Sequence, residues 1–126
     1  MTRKVTSSSQ GVVALGAFLF LADRWRLDQN QRAILLATSS RSIQRWQKNV
    51  AAAHLNRDQI ERISYMLGIF AGLRIVLGET TSLADEWIMR PNLDFGDRSP
   101  LARMLAGNVG DLAFVRSNVD RWASDW

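Results

Sequence analysis

Apolar residues recur along this chain at spacings of three and four, the period of helices that bury one face. Ile43, Trp46 and Val50 form one such stripe. Residues that start or stop helices bound the apolar segments, among them the hydroxyl run at 38–40 and Pro91. The chain is therefore predicted to be all-α, with helices at Gly11–Trp25, Gln31–Ala37, Ser40 to about Val50, Asn56 or Asp58 to Leu77, Ser82 to the residue before Pro91, Pro100 to Gly107 or Asn108, and Asp111 to about Ala123.

Two modules are predicted, divided where the composition changes around residues 78–82. We expect residues 1–9 to form a mobile tail, residues 10–78 a helical module, and residues 79–126 a second helical module with a C-terminal tail. Since 47% of the 126 residues are apolar, the chain can build a hydrophobic core. It has no cysteine and one histidine, which excludes a disulfide framework and metal sites built from thiolates or several histidines.

The two modules carry opposite net charge. Residues 1–78 hold 11 lysines and arginines against 4 acidic residues, whereas residues 79–126 hold 5 against 8. A basic module can be steered toward an anionic partner, and the acidic module must meet something else. The charge pattern indicates one protein with two partners; chance clustering of solvated surface charge is the alternative.

The N-terminal segment has the order of a signal peptide, because Arg3 and Lys4 precede an apolar stretch at 12–22. Phe20 and Ala22 make a poor cleavage site, and charged residues follow immediately. The stretch is also far shorter than the roughly 20 residues that span a bilayer. We therefore interpret Gly11–Trp25 as the buried first helix of a cytoplasmic protein that has no membrane partner.

The predicted helix that ends at Leu77 is apolar almost all round in its second half. Such a helix lies at the centre of a fold or in a contact between copies, so the surface at 66–77 is a candidate homodimer interface. Gly68 and Gly72 would let a neighbouring helix approach closely. Arg62 and Arg74 lie within the apolar run and argue against a membrane span.

The segments on either side of residues 38–40 form a candidate helix-turn-helix, with the small residue Ala37 where the helices would cross. Arginine and glutamine bind guanine and adenine edges in the major groove, and lysine and serine suit phosphates. A plain solvated helix face is the alternative, and DNA binding would require a dimer. The predicted DNA-binding residues are Ser39, Ser40, Arg41, Gln44, Arg45 and Lys48.

The second module carries an ordered set of residues: Ala84, Trp87-Ile88, Pro91-Asn92, Leu93, Gly96, Ser99-Pro100-Leu101, Leu105, Gly110 and Val115. This order resembles the toxin-binding domain of the Xre/MbcA/ParS-type antitoxins, whose pattern has a tryptophan-leucine pair, proline-asparagine, a glycine loop, a proline-leucine helix start and a glycine-led last helix. The first module resembles the Xre-like helix-turn-helix that precedes this domain in the same antitoxins. Together the likeness covers roughly residues 27–122.

The resemblance implies the antitoxin of a type II toxin–antitoxin pair. The partner it implies is a toxin of the RES-domain class, encoded by a neighbouring gene, which resembles ADP-ribosyltransferases and consumes or transfers from NAD. It also implies neutralisation by binding, with no chemistry and no cofactor of the chain's own, and paired antitoxins at the centre of a hetero-oligomer. Repression of its own operon through operator DNA would be a secondary role.

The composition of the C-terminus suggests how such neutralisation could work. A pocket built for the pyrophosphate of NAD carries cationic donors, so an inhibitor entering it should offer anions and a flat ring. The last residues supply an indole and two carboxylates, the second at the terminus beside Trp126. For Trp122 core packing is the preferred interpretation, and a frayed end is the alternative for Trp126. The predicted toxin-binding residues are Trp87, Arg90, Asn92, Arg121, Trp122, Ser124, Asp125 and Trp126.

Other chemistry finds little support in the sequence. His54 has no carboxylate or hydroxyl partner at a suggestive spacing, and the acidic pairs at 85–86 and at Asp94 with Asp97 lie where solvated carboxylates are common. We therefore predict no metal and no catalytic residue. Two other functions remain open: a stand-alone dimeric helix-turn-helix transcriptional regulator, and a structural adaptor without DNA contact.

Overall fold

The computed structural model describes residues 2–79 and 82–125, and their side chains from residue 9 onward. This part of the chain contains no strand, as the all-α prediction requires; a single isolated bridge joins Asn92 and Arg98. Short 3-10 turns follow α3 and α5 and precede α6. The α-helices are α1 (Thr2–Arg24), α2 (Gln29–Leu35), α3 (Ser40–Lys48), α4 (Arg57–Leu77), α5 (Leu83–Glu86), α6 (Pro100–Met104) and α7 (Val109–Ser124).

The chain forms two compact units, the first ending at Ser64 and the second beginning at Tyr65. The division therefore falls inside α4, and not at the change of composition near Gly78. Gly78 does end the helix, with a φ of +90° that favours glycine. Helix α4 contains this boundary, and its apolar residues recur at intervals of three on either side of it, at Ile60, Ile63, Met66 and Ile69.

Helix α1 begins at Thr2, earlier than the helix predicted from Gly11 after a mobile tail at residues 1–9. Residues 2–10 contain neither proline nor glycine, and adding a residue to an existing helix gains one backbone hydrogen bond. The helix can therefore extend from its buried part toward the N-terminus. No helix of the described residues is long and apolar enough to cross a membrane.

The inner face of α1 forms the centre of the first unit, as expected for a buried first helix. Three large side chains along it, Leu15, Phe18 and Leu21, are completely buried, as is Trp25 directly after the helix. From α3, Ile43 and Trp46 are also buried. Val50 does not complete their stripe, because α3 ends at Lys48 and Val50 lies half-buried in the following 3-10 turn.

The second half of α4 is the centre of the second unit, and not a free surface for a second copy. The stripe Met66, Ile69, Leu73 and Val76 is buried within the chain. The predicted close approach is confirmed at Gly72, where a β-carbon would clash with Val119 of α7, whereas at Gly68 it would meet only the end of the flexible Arg116 side chain. Helix α7 covers the side of α4 on which these glycines lie, so the apolar surface at 66–77 is used inside the unit.

Candidate functional site

The helix-turn-helix of the first unit is built from well-capped helices. Asp28 and Gln31 form a capping box at the start of α2, and the Ser39 hydroxyl accepts the backbone N–H of Ser42 at the start of α3. Between the helices Ala37 has a φ of +54° and is exposed. Ala37 therefore forms the left-handed turn, and the prediction that it lies where the two helices cross is wrong.

Polar side chains of α4 hold the end of α2 in place. Gln59 donates from Nε2 to the carbonyl of Leu36 at 3.2 Å, and Arg62 donates from Nη1 to the carbonyl of Leu35 at 3.4 Å. Both polar residues are buried, and Arg62 also bonds Asp58 at 2.8 Å. The last carbonyls of a helix have no partner within the helix, so these bonds satisfy them and fix the turn before α3.

The outer face of α3 presents the predicted base-reading side chains to solvent. Arg41, Gln44, Arg45 and Lys48 are all exposed, at spacings of three and four, opposite the buried Ile43 and Trp46. Helix α3 contains no acidic residue, so this face carries only positive charges beside the neutral Gln44. We call these four side chains the recognition face. Ser39 is exposed and serves as the N-cap, and Ser40 is half-buried at the first position of the helix.

In the second unit, the segment from Asn92 to Arg98 is a tightly bonded turn. The Asn92 carbonyl accepts the N–H groups of Phe95 and Asp97, and its side chain accepts the N–H of Asp94 at 2.9 Å. Gly96 and Asp97 both have positive φ values, of 66° and 64°. This arrangement turns Phe95 into the unit, where it is buried, and leaves Leu93 86% exposed.

The buried Phe95 belongs to a cluster of four aromatic rings. Its ring meets those of Trp87 and Phe114 edge to face, with centroids 5.9 Å and 5.7 Å away, and Trp87 lies 6.1 Å from Trp122. Edge-to-face contacts are a favourable arrangement of aromatic rings. The rings form the walls of a groove of about 700 Å³, which we call the aromatic groove; its lining is Trp87, Asn92, Asp94, Phe95, Phe114, Asn118, Arg121, Trp122 and Asp125.

Polar groups surround these aromatic walls. Arg121 donates to the side chain of Asn118 at 2.9 Å, which directs its guanidinium along α7. Asp94 and Asp125 are exposed and contribute two carboxylates. The groove thus combines flat apolar surfaces with a mixed set of hydrogen-bonding groups, a composition typical of protein-binding sites.

The start of α7 is fixed by an ion pair beside the groove. Arg103 donates to Asp111 at 2.8 Å, and its guanidinium lies 4.0 Å from the ring centre of Phe114. Asp111 also accepts the N–H of Asn108, which closes the capping box of α7. The hydrogen bond from Arg103 is the main reason why the pKa of Asp111 is lowered.

Five of the eight side chains predicted to bind a toxin line the aromatic groove: Trp87, Asn92, Arg121, Trp122 and Asp125. Arg90 is exposed and pairs with Glu86 at 3.6 Å, away from the groove. Ser124 is exposed, and its hydroxyl donates to the carbonyl of Arg121. Trp126 lies outside the described residues. Trp122 is half-buried and packs on Trp87, so core packing accounts for only part of its surface.

Sequence reasoning missed four lining residues, Asp94, Phe95, Phe114 and Asn118. The spacing along the sequence could have indicated Phe114 and Asn118. These residues and the predicted Trp122 follow one another at intervals of four and therefore share one face of α7. Asp94 and Phe95 could not be found in this way, since the turn that presents them is irregular.

The described residues contain no cluster of side chains that could bind a metal ion. Within residues 2–79 and 82–125 no three side chains of histidine, aspartate or glutamate come together as a metal site would require. His54 is exposed before the start of α4.

These features define a helix-turn-helix protein with a second helical unit that presents an aromatic groove. Residues 5–68 match the family model of the antitoxin Xre-like helix-turn-helix domain, and residues 72–124 match that of the antitoxin Xre/MbcA/ParS C-terminal toxin-binding domain. The chain is also 39% identical, over 91% of its own length and 88% of the relative's, to the uncharacterized protein y4oB of Sinorhizobium fredii.

The chain belongs to the Xre/MbcA/ParS antitoxin family. A protein of this family is not an enzyme; it carries a toxin-binding domain, and its partner is a toxin. The aromatic groove and all of its lining residues but Asp125 lie within the matched toxin-binding segment.

Proposed function

We propose that this protein neutralises a RES-domain toxin, encoded by a neighbouring gene, by binding it and blocking its active site. The observation that carries the proposal is the aromatic groove, because it gathers five of the predicted contact residues within the toxin-binding unit. Aromatic and arginine side chains in desolvated pockets supply most of the binding energy of protein interfaces. Type II pairing and the cytoplasm as the place of action are part of the same proposal.

The proposed block uses the end of α7 and the residues after it. Arg121, Ser124 and Asp125 are exposed on the last turn, beside the half-buried Trp122. The Asp125 carboxylate would bind cationic donors that a toxin uses for the NAD pyrophosphate, and Trp126 would stack where the substrate has an aromatic base. The groove would hold the toxin surface next to that pocket.

The test is co-expression of the neighbouring gene with this chain and with two variants. Deletion of residues 124–126 should restore toxicity, because the anionic end of the plug is lost. The matched control is the double substitution Arg41→Ala and Arg45→Ala in the other unit, which should neutralise as well as the wild type. Full neutralisation by the deleted chain would contradict the plug, and failure of the wild-type chain to co-purify with the neighbour's product would contradict toxin binding altogether.

We further propose that the recognition face binds operator DNA as part of a homodimer and so represses the chain's own operon. This proposal is supported by the exposed recognition face of α3, which carries three positive charges and no negative one and is held by capped helices. Helix-turn-helix proteins read two half-sites about 34 Å apart, which requires two copies. Binding of the promoter fragment should fall steeply with salt, and the double substitution Arg41→Ala and Arg45→Ala should abolish it. No binding at low salt would contradict this role.

A stand-alone dimeric transcriptional regulator is the second candidate, since the same recognition face would serve it. Co-purification with the product of the neighbouring gene distinguishes the two functions. A regulator needs only its operator and would not co-purify with the product of the neighbouring gene, whereas an antitoxin requires that complex.

A further inference from the structure

Asp94 is an exposed carboxylate in the wall of the aromatic groove. It directly precedes the buried Phe95, whose ring meets that of Trp87 with centroids 5.9 Å apart. The side chain of Asn92 accepts the backbone N–H of Asp94 at 2.9 Å, so the turn fixes the backbone of this residue at the wall. In the part of the chain that the structure describes, the Asp94 carboxylate takes part in no ion pair, so it can pair with a cation of another protein.

An arginine of the chain shows which cation suits such surroundings, at the edge of the same groove. The guanidinium of Arg103 lies 4.0 Å from the ring centre of Phe114, which lines the groove, and donates to Asp111 at 2.8 Å. An aromatic ring attracts a cation over its face, and a carboxylate pairs with the same cation from another side. A ring with an aspartate beside it therefore favours a guanidinium.

The second unit uses this combination again between α4 and α5. The guanidinium of Arg74 lies 3.5 Å from the ring centre of Phe70 and 2.7 Å from a carboxylate oxygen of Asp85. The aromatic groove offers the same two components at Asp94. There, however, no guanidinium of the described residues pairs with the carboxylate.

The charges of the groove lining favour a cation as its occupant. Arg121 is the single positive group of the lining, and it donates to the side chain of Asn118 along α7. Asp94 and Asp125 are the two negative groups. Residues 79–126 as a whole hold 5 lysines and arginines against 8 acidic residues, so the surrounding potential has the same sign.

We propose that the aromatic groove binds an arginine side chain on the surface of the toxin, with its guanidinium against the aromatic walls and its charge paired with Asp94. Arginine fits better than lysine, because the planar guanidinium stacks on rings and can bond a carboxylate through two N–H groups. A groove of about 700 Å³ accommodates such a long side chain. The inference rests on the toxin neutralisation proposed above, and it names a contact separate from the plug at residues 124–126.

The first experiment tests the groove with a small probe and requires no toxin. The full-length, isotope-labelled chain is titrated with acetyl-arginine methylamide at millimolar concentrations, and the indole N–H signals are followed by NMR. The signals of Trp87 and Trp122 should shift, because both indoles line the groove. Those of Trp25 and Trp46, which are buried in the first unit, should stay in place.

Two related probes are the controls for charge and for shape. Acetyl-citrulline methylamide has the shape of the arginine probe without its charge, and acetyl-lysine methylamide has the charge without the planar fork. Each should bind about threefold more weakly or worse, since it loses either the ion pair or the stacking. Equal binding of the citrulline probe would overturn the ion pair, and equal binding of the lysine probe would overturn the choice of a guanidinium. Unchanged signals of Trp87 and Trp122 with the arginine probe would overturn the groove as its site.

The second experiment measures the affinity of the full chain for the product of the neighbouring gene, with Asp94→Asn and Asp97→Asn as a matched pair. Both variants remove one negative charge from the same turn, but Asp94 lines the groove and Asp97 does not. Asparagine also tolerates the positive φ of Asp97. Asp94→Asn should weaken the complex about tenfold and reduce its dependence on salt, because a charge-assisted contact is lost. Asp97→Asn should leave the affinity unchanged, and thermal unfolding should be the same in both variants.

The outcomes separate this contact from the function on which it rests. If the wild-type chain does not bind the product of the neighbouring gene, toxin binding is overturned, and the toxin as the source of the arginine with it. If the wild type binds and Asp94→Asn binds equally well at every salt concentration, the arginine contact alone is overturned. Equal weakening by Asp97→Asn would attribute the effect to the net charge of the unit and would overturn the groove as the place of contact.

Discussion

Gly72 of α4 and Val119 of α7 lie so close together that a β-carbon on Gly72 would come within 2.6 Å of the Cγ1 atom of Val119. Both residues are buried, and Val119 belongs to the inner face of α7 with Leu112 and Val115. This close approach positions α7, which supplies four of the residues that line the aromatic groove together with Asp125 just beyond its end.

Replacement of Gly72 by alanine should destabilise the protein. The added methyl group meets a branched side chain in a packed interior, and overpacking of this kind costs about 1–3 kcal/mol. The free energy of unfolding in urea measures the loss. Gly110→Ala on α7 is the control, because a β-carbon there meets nothing within 4 Å, and it should cause no loss. Equal stability of both variants would contradict the close contact.

Replacement of Ala37 by glycine should stabilise the helix-turn-helix. Ala37 has a φ of +54°, a region that a residue with a β-carbon enters only with strain. Glycine at this position should therefore raise the free energy of unfolding by up to about 1 kcal/mol. The exposed Ala71 inside α4 is the matched control, since glycine there should instead cost about 1 kcal/mol. Thermal unfolding of the two variants should shift in opposite directions, and a loss at both positions would show that the turn does not hold Ala37 in this conformation.

Loss of the ion pair between Arg74 and Asp85 should lower the stability of the fold. The two side chains are 2.7 Å apart and only 13% and 15% exposed, and the guanidinium of Arg74 stacks 3.5 Å from the ring centre of Phe70. Asp85→Ala should therefore lower the free energy of unfolding by about 3 kcal/mol, because it leaves a charge buried without its partner.

The control for this ion pair is the exposed pair between Glu86 and Arg90. Their separation is 3.6 Å and their side chains are 47% and 65% exposed, so Glu86→Ala should change stability by less than about 0.5 kcal/mol. Comparable losses in Asp85→Ala and Glu86→Ala would show that burial does not set the strength of the first pair.

The ion pair between Arg103 and Asp111 should make stability depend on pH. The hydrogen bond from Arg103 lowers the pKa of Asp111 below its ordinary value of 3.8. A group whose pKa is lower in the folded state stabilises the fold above its unfolded pKa, and this contribution disappears as the pH falls through the folded pKa. The wild type should therefore exceed Asp111→Asn in stability at pH 7, and the difference should shrink in acid.

Arg103, which forms the ion pair with Asp111, supplies the control for that experiment. In an Arg103→Gln background the donor is gone, so the difference between Asp111 and its asparagine variant should change much less with pH. Urea unfolding of the four chains from about pH 2.5, below the ordinary pKa of aspartate, to about pH 7 measures both effects. An unchanged pH dependence without Arg103 would contradict its role.

Local features of the fold were predictable from the sequence because they depend on neighbouring residues. The Ser99 cap before Pro100 is confirmed, as is the helix stop at Gly78, and the basic residues of α3 lie opposite Ile43 and Trp46 as their spacing predicts. Helix period and capping chemistry act over three or four residues, so the chain carries this information in its order alone. The resemblance to the antitoxin family could be recognised for the same reason, since the family motif is an ordered set of helix caps, turns and buried residues.

The tertiary structure alone decided how each apolar surface is used. Met66 and Phe20 both belong to apolar runs of long helices, yet Met66 is completely buried and Phe20 is more than half exposed. The aromatic groove likewise exists only because Phe95 from an irregular turn meets both Trp87 before it and Phe114 on α7. Periodicity states which side of a helix is apolar, but whether another helix covers that side depends on packing between segments far apart in sequence.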